Sequence, residues 1–135
     1  MIRFGATRAV VLLGPYAFKF ARSYSGVRCN RLEAELFRRN KNKAHRCSML
    51  CPVLWCSWPA IVLIMRRALT PVNQAQIDRL KTSAWFDWDY MGPNDDECPF
   101  EWKPSDWGIL NGSSVAVDYA ATAFDQLGEH RPQIR

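Results

Sequence analysis

The sequence predicts an α+β domain, a small antiparallel sheet packed against few helices. Three observations carry that expectation. Short β-branched or alternating stretches open the chain, an amphipathic helical stretch follows, and Asn111-Gly112 sits between two strand-like runs as the strongest hairpin signal present.

Ile2–Phe4 and Arg8–Leu13 are expected as short strands, the second rich in β-branched residues. Gly14-Pro15-Tyr16 reads as a turn, since Gly accepts unusual backbone angles and Pro cannot continue a ladder. Ala17–Arg22 follows as a third strand, with Ala17, Lys19 and Ala21 on one face and Phe18 and Phe20 on the other. A Lys flanked by two Phe can pack its stem and extend its ammonium to a cleft. Ser23–Gly26 is expected to be a loop. Asn30 is the expected N-cap of a helix over 31–40, with Glu33 and Glu35 near its positive end and Leu32 and Leu36 on its apolar stripe. The polar stretch Asn40–Arg46 is expected as a loop.

Pro52–Trp58 and Ala60–Arg66 read as a hairpin whose near-continuous hydrophobicity predicts burial on both faces. Pro71 precedes an expected helix over Val72–Leu80, and Asp87–Pro99 is acidic and turn-rich. Trp107–Leu110 and Ser114–Asp118 flank the Asn111-Gly112 turn, and a short helical tail is expected to end at Gly128.

A chain of 135 residues with 48% hydrophobic content suits one domain with one core and argues against global disorder. Arg3 and Arg8 precede any apolar run and Gly14-Pro15 interrupts the first one, so no secretory leader is expected. Leu50–Met65 is too short and too proline-broken for a membrane helix. Five cysteines are an odd number, and reduced thiols are expected. His45, Cys47, Cys51 and Cys56 invite a zinc reading, but their irregular spacing lacks Cys-x2-Cys knuckles and argues against it.

Charge is unevenly spread. Residues 1–81 hold 15 Lys/Arg against three acids, whereas residues 82–135 hold three against ten. The cluster Arg38, Arg39, Lys41, Lys43 and Arg46 is either a solvated helix end or a patch for an anionic partner.

The order of elements, and the residues on them, resemble a protein kinase over residues 1–120. Ala17-Phe18-Lys19 is similar to the Val-Ala-Ile-Lys strand, and Glu33 (or Glu35) resembles the helix Glu that pairs with that Lys. Val62–Ala68 is similar to the strand entering the hinge. Phe100-Glu101-Trp102-Lys103-Pro104-Ser105-Asp106-Trp107-Gly108-Ile109-Leu110 resembles His-Arg-Asp-Leu-Lys-Pro-Ser-Asn-Ile-Leu, the catalytic loop. Val115-Ala116-Val117-Asp118-Tyr119-Ala120 is similar to the strand entering Asp-Phe-Gly.

The resemblance implies a single minimal domain: a kinase-like N-lobe over 1–68, with a five-stranded antiparallel sheet and one helix, and a reduced C-lobe over 69–135. It implies that Lys19, held by Glu33, meets the phosphates of ATP or GTP, that Asp106 and Asp118 ligate Mg²⁺, and that Glu101 stands where a catalytic base would. Each has a plainer alternative: a structural Lys19–Glu33 pair, a capping Asp118, an Asx turn at Asp106, an exposed Glu101. The tryptophans are expected mostly in core or hairpin packing.

Departures from the family pattern are concentrated in its catalytic parts. The His of the loop is replaced, the base is Glu, the second metal ligand is Asp, the final Gly is Ala120, and Gly5-Ala6-Thr7 is all that stands for a Gly-rich loop. With 17 residues after Asp118, no activation segment is expected. The reading is therefore a catalytically degraded, pseudokinase-like nucleotide-binding or binding-only module of phage type, acting in the host cytoplasm. One alternative is a phage-encoded inhibitor or adaptor gripping a host protein or ribonucleoprotein through the basic face. Another is an active small ATP-dependent phosphotransferase.

Overall fold

The structure, a computed structural model, describes residues 1–89 and 98–121, with side chains described to residue 82 and from 98 to 121. It is α+β. Strands β1 (Ile2–Phe4), β2 (Arg8–Leu13), β3 (Tyr16–Ala21), β4 (Val53–Cys56) and β5 (Val62–Arg66) form one antiparallel sheet in the order β1-β2-β3-β5-β4. Strands β6 (Trp107–Leu110) and β7 (Ser113–Ala116) form a separate hairpin. The helices are α1 (Tyr24–Arg39), α2 (Ala44–Met49) and α3 (Gln74–Asp89), with a 3-10 turn at Pro104–Asp106.

Turn chemistry sets both tight hairpins. Gly14 has φ 57° at the first position of the β2–β3 turn, and Asn111 and Gly112 have φ 52° and 81° between β6 and β7. Positive φ at these positions matches the right-handed twist of the flanking strands.

Helix α1 starts seven residues before Arg31, the expected first residue. Ser23 is the N-cap, its side chain accepting from the Gly26 N–H, so Ser23–Gly26 is not a loop. Asn30 lies inside the helix and is wholly buried. Its amide donates to the carbonyls of Lys19 (3.2 Å), Ala60 (3.0 Å) and Ile61 (3.3 Å), which is why a cap-forming residue is stable there. Gly26 allows the close approach of the first turn: a Cβ there would lie 2.2 Å from the Thr7 carbonyl and 3.0 Å from the Ala21 Cα.

Other boundaries also move. The expected loop Asn40–Arg46 contains the start of α2, and the helix expected over Val72–Leu80 is α3, running on to Asp89. The rest of the acidic stretch to residue 97, and the helical tail to Gly128, lie outside the described residues. Strand β7 ends at Ala116, which leaves Asp118 beyond it.

The core lies between the inner face of the sheet, α1 and the hairpin. Leu32, Leu36, Leu50, Leu63, Met65, Ile77, Trp107 and Tyr119 are buried there. Burial of β4 on both faces is not found: Leu54 and Trp55 are about half exposed, because β4 is an edge strand and only one of its faces meets α1. The tryptophans divide likewise. Trp107 is buried and stacks on Trp102, whereas Trp58 is 96% exposed in the β4–β5 turn; Trp85 and Trp88 fall outside the described side chains.

The hairpin joins the rest through few bonds. Cys51 N–H donates to the Ala116 carbonyl (2.9 Å), Leu69 and Ile109 exchange backbone bonds, and the Tyr119 hydroxyl donates to the Cys51 carbonyl (2.8 Å). Among the described residues no helix is long and apolar enough to cross a membrane.

Candidate functional site

A cleft of about 560 Å³ opens between the inner face of the sheet and the loops around the hairpin. Val10, Leu12 and Ala17 line it from β2 and β3, Met65 from β5, with Ala68 just beyond. Lys19 contributes from β3, Glu101, Lys103 and Asp106 from the loop before β6, and Asp118 from the segment after β7.

Glu33 is the hub behind the cleft and is completely buried. Its Oε1 accepts from Lys19 Nζ at 2.8 Å and from Arg8 Nη1 at 2.6 Å. Its Oε2 accepts from Arg8 Nη2 at 3.3 Å and from the Tyr119 backbone N–H at 2.8 Å. Burial alone would raise the Glu33 carboxyl, but Arg8 and Lys19 outweigh it and hold the group at about 2. Burial likewise opposes the charge on Arg8, yet Glu33 and Asp118 raise its pKa above the ordinary arginine value. Glu33 is thus the partner of Lys19; Glu35 does not share this bond set.

Lys19 Nζ also donates to the Val117 carbonyl at 2.5 Å, which ties the third strand to the segment carrying Asp118. Asp118, half exposed, accepts from Arg8 Nη2 at 3.4 Å. Lys19 and Asp118 therefore line the same cleft, at the two ends of a chain of ion pairs that runs through Glu33 and Arg8.

Arg8 escaped the reading of the sequence. Its signal was a basic residue on the inward-facing side of a strand, in step with Val10 and Leu12, where apolar residues are the rule. Tyr119 was also missed, because a backbone donor leaves no mark in a sequence.

Asp106 is buried at the end of the 3-10 turn, and its main-chain carbonyl accepts from Val117 N–H at 2.8 Å. Burial, then the charge of Asp118, push its carboxyl up to about 7, against the pull of Lys103, whose ammonium is 4.0 Å away. Glu101 pairs with Lys103 at 3.4 Å. Its backbone carbonyl receives the Trp107 indole N–H at 3.0 Å, which fixes the loop against the hairpin.

The oxygen donors suit a hard cation. Asp106 and Asp118 both line the cleft, close enough for the charge of Asp118 to raise the Asp106 carboxyl, and magnesium commonly takes one or two carboxylates plus phosphate oxygens and waters. Among the described residues no group of three or more His, Cys, Asp or Glu could hold a metal ion. Cys51, buried in the core, has its thiol pushed up to about 11 by burial, as suits a small hydrophobe.

The basic cluster does not belong to this cleft. Arg38, Arg39, Lys41 and Lys43 are exposed at and beyond the C-terminal end of α1, with Lys41 over the Phe37 ring at 5.9 Å. Arg46 departs from the expected patch: it lies inside α2 and is 7% exposed. The short helix turns it inward, a position its sequence neighbours did not reveal.

No family model, no curated protein and no solved structure matches the chain.

Proposed function

We propose that this protein is a kinase-like nucleotide-binding module, with the cleft beneath the sheet taking ATP or GTP. The observation that carries the reading is the buried Glu33 holding Lys19 at 2.8 Å, while Lys19 reaches the backbone beside Asp118. A strand ammonium oriented by a helix carboxylate is what a phosphate chain needs from a protein: a cation at a fixed place and angle. The apolar surface of Val10, Leu12, Ala17, Met65 and Ala68 offers a flat purine ring a place to leave water.

Asp106 and Asp118 would hold Mg²⁺, whose charge offsets that of the phosphates when it is bound. Arg8 adds a guanidinium between Glu33 and Asp118, a second fixed cation facing an anionic ligand. Binding, rather than phosphoryl transfer, is the activity assigned. Glu101, the position of a base, is turned to Lys103, and the departures from the kinase pattern cluster in the catalytic loop.

Calorimetry with ATP or GTP and Mg²⁺ tests this directly. Saturable heat is expected, and Lys19→Ala should weaken binding at least tenfold. A folded protein giving no heat with either nucleotide sinks the reading. Labelled-ATP turnover lost in Glu101→Gln and Asp118→Asn would instead establish an active phosphotransferase.

A second reading rests on the exposed Arg38, Arg39, Lys41 and Lys43 outside the cleft. They suit an inhibitor or adaptor that grips an acidic host protein or ribonucleoprotein. Reversing Arg38 and Arg39 to Glu should then weaken capture of that partner and blunt its salt dependence.

A further inference from the structure

The other face of the sheet is built differently and, apart from Phe4 and Arg66 at its rim, takes no part in the cleft. Strand alternation that turns Ala17, Lys19 and Ala21 inward turns Tyr16, Phe18 and Phe20 outward. The pairing register aligns Ile2, Val11, Phe18, Ile64 and Trp55 in one row across all five strands, and every one is apolar. Ile2 (58%) and Trp55 (54%) are exposed at the ends of this row and Tyr16 (42%) and Phe20 (37%) beside it, while Val11, Phe18 and Ile64 between them are half-buried. An exposed apolar area continuous across a sheet marks a binding surface.

Two further features identify what would bind. The Phe18 and Phe20 rings lie nearly parallel, at 16° with centroids 6.5 Å apart, and Tyr16 adjoins Phe18 at 6.2 Å. They form a line of flat π-surfaces along β3. Among the described residues, charge at the ends of that line has one sign. Arg66 sits at the register position of Tyr16 with Arg67 after it, both exposed, while Arg22 lies at the opposite end over the Phe4 ring at 5.3 Å. The only acids before Asp78 are Glu33 and Glu35, both on α1, so none of the five strands carries a negative charge. A protein surface of ordinary mixed charge has no use for an all-cationic frame. A polyanion with flat apolar faces does.

We propose that the outer face of the sheet binds single-stranded nucleic acid, with bases stacking on Phe18, Phe20, Tyr16 and Trp55 and phosphates meeting Arg22, Arg66 and Arg67. The site touches the nucleotide cleft only at its rim, through Arg66 and Phe4, and stands or falls without it. Stacking needs unpaired bases, so duplex binds far more weakly than single strand.

Fluorescence anisotropy of the full chain with a labelled 12-nucleotide oligouridylate and oligothymidylate, a duplex control, and excess ATP tests the site. Expected is single-strand binding that ATP does not displace, with a log–log salt slope of about −2 if three phosphates are neutralised. Trp55→Ala and Phe20→Ala should each weaken binding at least about fivefold with an unchanged circular-dichroism spectrum, since a stacked ring contributes roughly that much or more. Trp55→Phe should retain most of it, and Arg66→Glu with Arg67→Glu should flatten the salt slope. Should Phe20→Ala unfold, the half-exposed Trp55 pair of variants decides alone. The proposal is overturned by absent binding at low salt, by equal affinity for duplex, or by binding indifferent to Trp55→Ala. Concentration-dependent dimerisation lost in Trp55→Ala, with no oligonucleotide bound, also overturns it and gives the face to a second copy of this chain.

Discussion

The two faces of the five-stranded sheet divide polar and apolar residues the opposite way from a simple inside–outside rule. The inner face buries Arg8 and Lys19, at 8% and 5% exposure, and α1 buries Glu33 against them. The outer face leaves Trp55, Tyr16 and Phe20 in water. Burying a charge is costly unless it is paired and hydrogen-bonded, and here four donors converge on the two oxygens of one carboxylate. Exposing an aromatic is cheap by comparison. The contrast teaches that the inner face is held together by mutual satisfaction, so its members stand or fall as a group, whereas outer residues contribute little to folding and are free to serve recognition.

The largest break in that comparison should come from Glu33→Ala. It leaves two buried cations without their anion, and a loss of about 3 to 5 kcal/mol in urea unfolding is expected. Acid should reproduce part of the effect. The folded-state value of about 2 lies below the ordinary 4.5, so the stabilisation is fully present above about pH 4.5 and drains away as pH falls toward 2. Its size is roughly 3 kcal/mol by the 1.36 kcal/mol-per-unit conversion. Thermal or urea melts between pH 2 and 5 should show this slope, and Glu33→Gln should remove it; an unchanged slope in the variant would place the acid sensitivity elsewhere.

Next in size is Gly26→Ala. Its methyl group would run into the Thr7 carbonyl and the Ala21 backbone, neither able to swing aside, so α1 must retreat from the sheet. A cost of about 2 kcal/mol or more is expected, at the upper end of overpacking effects. Asn30→Ala should cost about 1 to 3 kcal/mol, because three carbonyls lose their shared donor in a buried place. The smallest effect belongs to the β4–β5 turn. Trp58→Ala, at a residue 96% exposed, should stay within about 0.5 kcal/mol in urea unfolding.

Strands and their turns were legible in the sequence because their signals are local. Period-two alternation in Tyr16–Ala21 and the positive-φ residues Gly14, Asn111 and Gly112 act through neighbours in the chain. The Lys19 pairing came from the kinase resemblance, which left Glu33 and Glu35 open until the fold brought Glu33 to 2.8 Å. What stayed hidden depended on distant partners. Asn30 resembles a helix cap until three carbonyls from β3 and the β4–β5 turn surround it, and Arg46 resembles a surface charge until a short helix turns it inward. Arg8 lies 110 residues from Asp118, and no spacing rule connects them. The half-exposed β4 shows the reverse error. Continuous hydrophobicity predicts two covered faces, but only one face of β4 packs on α1 and the outer face of the sheet is left partly open.

The amide of Asn30 has one more effect. By reaching backbone oxygens at Lys19, Ala60 and Ile61, it rivets the middle of α1 to β3 and to the turn leading into β5. A helix free to pivot could withdraw Glu33 from Lys19 and so switch the cleft between open and assembled forms. Here any pivot must sever the amide's three bonds and the ion pair together. The helix behaves as a fixed strut rather than a lever, and a ligand arriving at the cleft meets charges already standing in position.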